Sequence, residues 1–107
     1  GRGLVANGLA GSVSVFEGAS RAGPATIRVG AEPLGVAAAP GGQRAYVTSF
    51  AAGILSAIDL ATNAVVATAK VGTSPRAIAV SPDGRSAYLT HSTSNVSVVD
   101  LTRLEAP

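Results

Sequence analysis

The chain has no cysteine, no methionine and no tryptophan, and its 107 residues include only four aromatics, Phe16, Tyr46, Phe50 and Tyr88. Without cysteine there is neither a disulfide framework nor a thiolate metal site. The redox compartment leaves no trace in such a sequence. Charge is also scarce: Asp, Glu, Lys and Arg together make up 13% of the residues, with a net charge of +2. The basic residues are scattered rather than run together, so neither nucleic acid nor an anionic membrane surface is an expected partner. No apolar stretch approaches the length of a bilayer-crossing helix, and no membrane span is expected.

What the chain does have is small apolar residues and regular punctuation. Hydrophobic residues make up 47%, mostly Ala and Val, and 13 glycines and 6 prolines recur at intervals. The intervals come from a repeat 42 residues long. Ala45-Tyr46-Val47-Thr48 returns as Ala87-Tyr88-Leu89-Thr90, and Pro40-Gly41-Gly42 returns as Pro82-Asp83-Gly84. Ile58-Asp59-Leu60 returns, one residue early, as Val99-Asp100-Leu101.

Each repeat contains four short runs of strand character bounded by turn residues, with no competing helical period. The run Leu34 to Ala39 is apolar throughout and reads as an inner strand buried on both faces. Pro40-Gly41-Gly42-Gln43 is a tight turn, and Ser81-Pro82-Asp83-Gly84 is its counterpart. A period in the low forties with four strands per unit predicts an all-β fold: a β-propeller arc of four-stranded antiparallel blades. The units are expected at residues 1–33 (partial), 34–75 (complete) and 76–107 (partial). That is an incomplete ring of ten strands, with the remaining blades of the same chain, or self-association, as the expected partner.

Ala45-Tyr46-Val47-Thr48-Ser49, Ala87-Tyr88-Leu89-Thr90 and the long match from Ser74 to Tyr88 resemble the Tyr-Val-Thr-Asn repeat of the YVTN β-propeller family. The likeness covers essentially the whole chain and is strongest from Leu34 to Leu101. It implies a bacterial protein that is periplasmic, secreted or on the cell surface. Similar repeats occur in surface-layer proteins, lactonase-like hydrolases and redox-enzyme subunits, so the likeness is specific for fold and poor for activity. The fourth motif position departs from asparagine: it is Asn7, Ser49 and His91 in the three copies.

Those departures fall where strands emerge toward loops, the usual place of ligand specificity. Asn7, Ser49 and His91 are therefore candidate ligand-facing residues, and Glu32 joins them as the residue to watch beside His91 if the blades belong to a hydrolase or a redox enzyme. A single histidine could serve as a base or a ligand, yet metal binding needs several converging donors. Glu17, Asp59 and Asp100 sit at one equivalent position before a turn, which favours backbone-capping over paired-carboxylate chemistry. Tyr46 and Tyr88 are expected between sheets, each hydroxyl with a partner. No catalytic residue, cofactor or metal is assigned. The reading is a non-enzymatic scaffold that binds a protein or small-molecule ligand. The alternative is part of a lactonase-like hydrolase or a propeller subunit of a redox enzyme.

Overall fold

The computed structural model describes residues 2–7, 11–17, 25–29, 32–92 and 95–104. Among the described residues ten strands follow one another: β1 (Arg2–Asn7), β2 (Ser12–Glu17), β3 (Ala25–Arg28), β4 (Pro33–Ala38), β5 (Arg44–Ser49), β6 (Ile54–Asp59), β7 (Ala64–Lys70), β8 (Pro75–Val80), β9 (Ser86–His91) and β10 (Val96–Asp100). A 3-10 turn, Leu101–Arg103, comes after them. There is no α-helix among the described residues. The strands form three antiparallel meanders in chain order: β1-β2-β3, β4-β5-β6-β7 and β8-β9-β10. The fold is an arc of β-propeller blades, as the repeat predicts.

Each sheet is stitched by the residues that repeat. Proline opens both β4 and β8, where a missing N–H costs no ladder bond. Asp59 accepts the N–H of Ala61 at 2.9 Å, and Asp100 accepts that of Thr102 at 2.9 Å. These carboxylates close the turns after the third strands, as their position before a turn anticipates. The side chain of Glu17, the third member of that set, lies outside the described residues. Asp83 likewise accepts the hydroxyl of Ser81 and the N–H of Arg85, tightening the Pro82-Asp83-Gly84 turn.

The sheets lie face to face and bury two aliphatic layers. Because side chains alternate along a strand, β5 sends Ala45 and Val47 one way and Tyr46 and Thr48 the other. Ala45, Val47, Ile58 and Leu60 pack against Val13 and Ile27 of the first sheet. Tyr46, Leu55, Ala57 and Ala67 pack against Ala87, Leu89 and Leu101 of the third unit. The small residues permit close stacking of the sheets, and each fully buried Leu or Ile contributes about 2 kcal/mol of apolar transfer free energy.

Two expectations about burial are corrected. The strand buried on both faces is β5, where every residue from Ala45 to Ser49 is buried, and not the inner strand. β4 alternates, and Leu34 is 46% exposed. The reason is position: β5 has a strand on either side and a sheet over either face, whereas β4 is an edge strand. Tyr88, expected between sheets, is 47% exposed on the outer face of the third sheet, while its counterpart Tyr46 is 3% exposed.

Candidate functional site

One end of the stack gathers most of the residues singled out from the sequence. The turn after β5, the β7–β8 connection and the turn after β9 all lie there. The N–H of Phe50 bonds the carbonyl of Glu32 at 2.8 Å, and in the next unit the N–H of Ser92 bonds that of Ser74 at 3.1 Å. Glu32 and Ser74 are thus equivalent residues, each directly before a proline, and each has φ of 54°. A left-handed conformation in a residue other than glycine costs of order 1 kcal/mol and is held by its surroundings. Here the hold is the carbonyl bond to the end of the second strand. The Glu32 side chain is exposed at this end.

His91 ends β9 and is only 8% exposed. Its Nδ1 lies 2.8 Å from the carbonyl oxygen of Thr73, and its Nε2 lies 2.8 Å from Ser97 Oγ. A carbonyl only accepts, so Nδ1 carries a proton, and in the neutral ring Nε2 accepts from the Ser97 hydroxyl. The imidazole therefore ties β9, β10 and the β7–β8 connection together. A hydroxyl on an imidazole is the beginning of a nucleophile–base pair. In this case the other nitrogen is held by a main-chain carbonyl, and all three partners belong to the junction between the second and third sheets. The arrangement fastens the junction. Beside it is a cavity of about 220 Å³ bordered by Gly72, Thr73, His91, Asn95 and Ser97.

The other candidates separate. Ser49, the counterpart of His91, is 0% exposed, and its hydroxyl has no hydrogen-bond partner among the described residues. It lies in the sheet interior, because strand alternation turns it the same way as Val47. Asn7 ends β1 opposite Ser12, and its side chain lies outside the described residues. Glu32 and His91 stand at the same end of the stack but in different units. Among the described residues, no group of three or more His, Cys, Asp or Glu side chains gathers in a way that could hold a metal ion.

Sequence reasoning missed Thr48. It is 0% exposed; its Oγ1 accepts the N–H of Gly35 at 3.1 Å and donates to the carbonyl of Arg76 in the next unit at 3.1 Å. The recurrence of threonine at this position was the available signal. Gly35 makes the approach possible, since a Cβ there would stand 2.5 Å from that same carbonyl oxygen.

Antiparallel meanders of three and four strands, stacked face to face in chain order, are the blades of a β-propeller. Solved structures agree. The chain is similar to hydrazine synthase of Kuenenia stuttgartiensis, with 26% identity and a TM-score of 0.88 over 97% of this chain and 30% of that one. It is similar to dihydro-heme d1 dehydrogenase NirN in complex with DHE, with 27% identity and a TM-score of 0.78 over 99% and 23%. Apo AztD of Citrobacter koseri gives 19% identity and a TM-score of 0.73 over 91% and 29%, a likeness of fold alone. The chain thus spans less than a third of the length of each of these structures. No protein-family profile matches the chain, and no curated protein does.

Proposed function

We propose that these blades are part of a larger β-propeller that works as a non-enzymatic scaffold and binding module of an exported or cell-surface YVTN-repeat protein. The observation that carries this reading is the use made of the reactive groups. Both nitrogens of the one histidine are engaged, one with the β7–β8 connection and the other with the neighbouring strand β10. Asp59, Asp83 and Asp100 are engaged in closing turns. The binding end is the one that holds Glu32, Ser74 and the cavity beside His91. Its support is backbone strain repeated at Glu32 and Ser74, which costs stability and is retained in both units.

A second reading, the propeller subunit of a redox enzyme, is favoured by one observation. Two of the similar structures are a hydrazine synthase and a dihydro-heme d1 dehydrogenase. The experiment is to purify the whole protein that carries these blades, record its visible absorption, and assay it against a panel of small esters and lactones. A colourless protein without turnover, whose melting temperature rises with a ligand and no longer does so in Glu32→Ala, is the expected result. A co-purifying chromophore supports the second reading, and ester or lactone turnover overturns the first.

A further inference from the structure

The end of the stack opposite Glu32 and His91 holds another cavity, of about 410 Å³, between the second and third units. The β4–β5 turn, the β8–β9 turn and the 3-10 turn come together there. Arg44 and Tyr46 border it from the second unit and Asp83 from the third, and Ala39, Pro40 and Leu101 add apolar surface. Tyr46 is 3% exposed and belongs to the second aliphatic layer. A buried tyrosine hydroxyl ordinarily finds a partner, and one was expected here. The hydroxyl of Tyr46 instead bonds no described residue and is not sealed from solvent.

The two charges at this cavity are likewise unmatched. Arg44 stands across from Asp59 in the β5–β6 register, but Asp59 is engaged by the N–H of Ala61, and Arg44 makes no ion pair among the described residues. Asp83 spends Oδ1 on the Ser81 hydroxyl and the Arg85 N–H. Those bonds favour its ionised form, and no described residue bonds Oδ2. The fold needs neither charge. By the repeat, Arg44 corresponds to Ser86 and Asp83 to Gly41. The same main-chain bond closes both turns, from the Gly42 N–H to the Ala39 carbonyl at 3.1 Å and from the Gly84 N–H to the Ser81 carbonyl at 2.9 Å. A cation from one unit and an anion from the next thus border one cavity without pairing, beside a buried hydroxyl that has no partner.

We propose that this cavity binds a small zwitterion, an α-amino acid with an aliphatic side chain. Arg44 takes the carboxylate, which its planar guanidinium matches with two parallel hydrogen bonds. Asp83 accepts from the ammonium through Oδ2. The Tyr46 hydroxyl supplies a third polar contact, and the aliphatic side chain lies on Ala39, Pro40 and Leu101. A ligand with one charge leaves the opposite member of the Arg44 and Asp83 pair unmatched, so the site selects against simple carboxylates and simple amines. A few placed polar groups around apolar surface, in a volume of this order, is the usual make-up of a small-molecule site. The site lies at the other end of the stack from the binding end of the proposed function and does not depend on it.

The test is calorimetric titration of the whole protein that carries these blades with three probes of like shape: leucine, isocaproate, which lacks the ammonium, and isoamylamine, which lacks the carboxylate. Leucine is expected to bind at least about tenfold more tightly than either analogue, because each analogue forfeits a charge-assisted hydrogen bond. In Arg44→Gln the affinity for leucine is expected to fall to that for isoamylamine, with the amine unaffected. In Asp83→Asn, which keeps an oxygen to accept the two turn bonds, leucine is expected to fall to the level of isocaproate. Tyr46→Phe keeps the packing and removes a hydroxyl that bonds no described residue; the expected result is the parent melting temperature with leucine bound several-fold more weakly. No binding of leucine at concentrations up to about 10 mM overturns the proposal. Either analogue binding as tightly as leucine overturns the pairing of both charges with one ligand. Leucine binding that none of the three substitutions weakens belongs elsewhere in the protein and overturns the site.

Discussion

The second and third sheets carry nearly the same words and lead different lives. Ala45-Tyr46-Val47-Thr48 and Ala87-Tyr88-Leu89-Thr90 pair with their neighbours in the same register. One tyrosine is a core residue and the other stands in water. The difference teaches that a blade does not own its core. Half of what buries a propeller residue belongs to the next sheet, so identical side chains differ in energetic weight according to what covers them.

The strongest way to break this comparison is to cut matched side chains. Leu55→Ala, at 0% exposure, is expected to cost about 3 kcal/mol through lost transfer energy and a residual cavity. Its counterpart Val96→Ala, at 68% exposure, is expected to change stability by less than about 0.5 kcal/mol. Urea denaturation of both variants measures the gap. Equal losses would show that the third sheet is covered in solution.

A second pair sharpens the point with polar groups. Thr48→Val strands the Gly35 N–H and the Arg76 carbonyl in the junction, at an expected cost of about 1–3 kcal/mol. Thr90→Val removes a bond made in water, where solvent replaces it, and the expected change is under about 0.5 kcal/mol. Thermal unfolding of the two variants side by side separates them.

The two junctions differ in their fastenings as well. His91→Leu removes the link from Thr73 to Ser97 and is expected to cost about 1–2 kcal/mol. Ser49→Ala removes a buried hydroxyl that bonds nothing among the described residues; the expected outcome is no loss, or a gain of up to about 1 kcal/mol. A Ser49→Ala variant clearly less stable than the parent would mean that a partner such as a buried water serves that hydroxyl.

The smallest effect is that of pH. Hydrogen bonds from the Ser81 hydroxyl and then the Arg85 N–H hold Asp83 below its usual value of 3.8. The Thr102 hydroxyl and N–H do the same for Asp100, aided by Arg103. A depressed folded value means that the stabilisation is present above the ordinary carboxylate range and is lost as pH falls through the folded values. Acid titration of the melting temperature should therefore show a shallow decline below that range, reduced in Asp83→Asn and Asp100→Asn. A decline that begins near neutrality would point to other groups.

Much of this was legible in the chain. The repeat period gave ten strands and their meander order, because turn residues and alternation act locally. The position of Asp59 and Asp100 before a turn announced their capping role for the same reason. The site was less legible. Ser49 and His91 occupy one equivalent place, yet one is an unpartnered buried hydroxyl and the other spans two segments, a difference of reach that only packed neighbours reveal. The strain at Glu32 and Ser74 was invisible, since residues before proline are ordinarily extended.

By itself the sequence determined the strands, their turns and the face each side chain takes, all set by interactions within a few residues or across a hairpin. The tertiary structure alone decided which of two equal faces is covered, where the Thr48 hydroxyl reaches the Arg76 carbonyl beside Gly35 and locks one unit to the next, and which buried polar groups find partners. Those outcomes depend on distances between residues far apart in the chain, and stacking is what sets them.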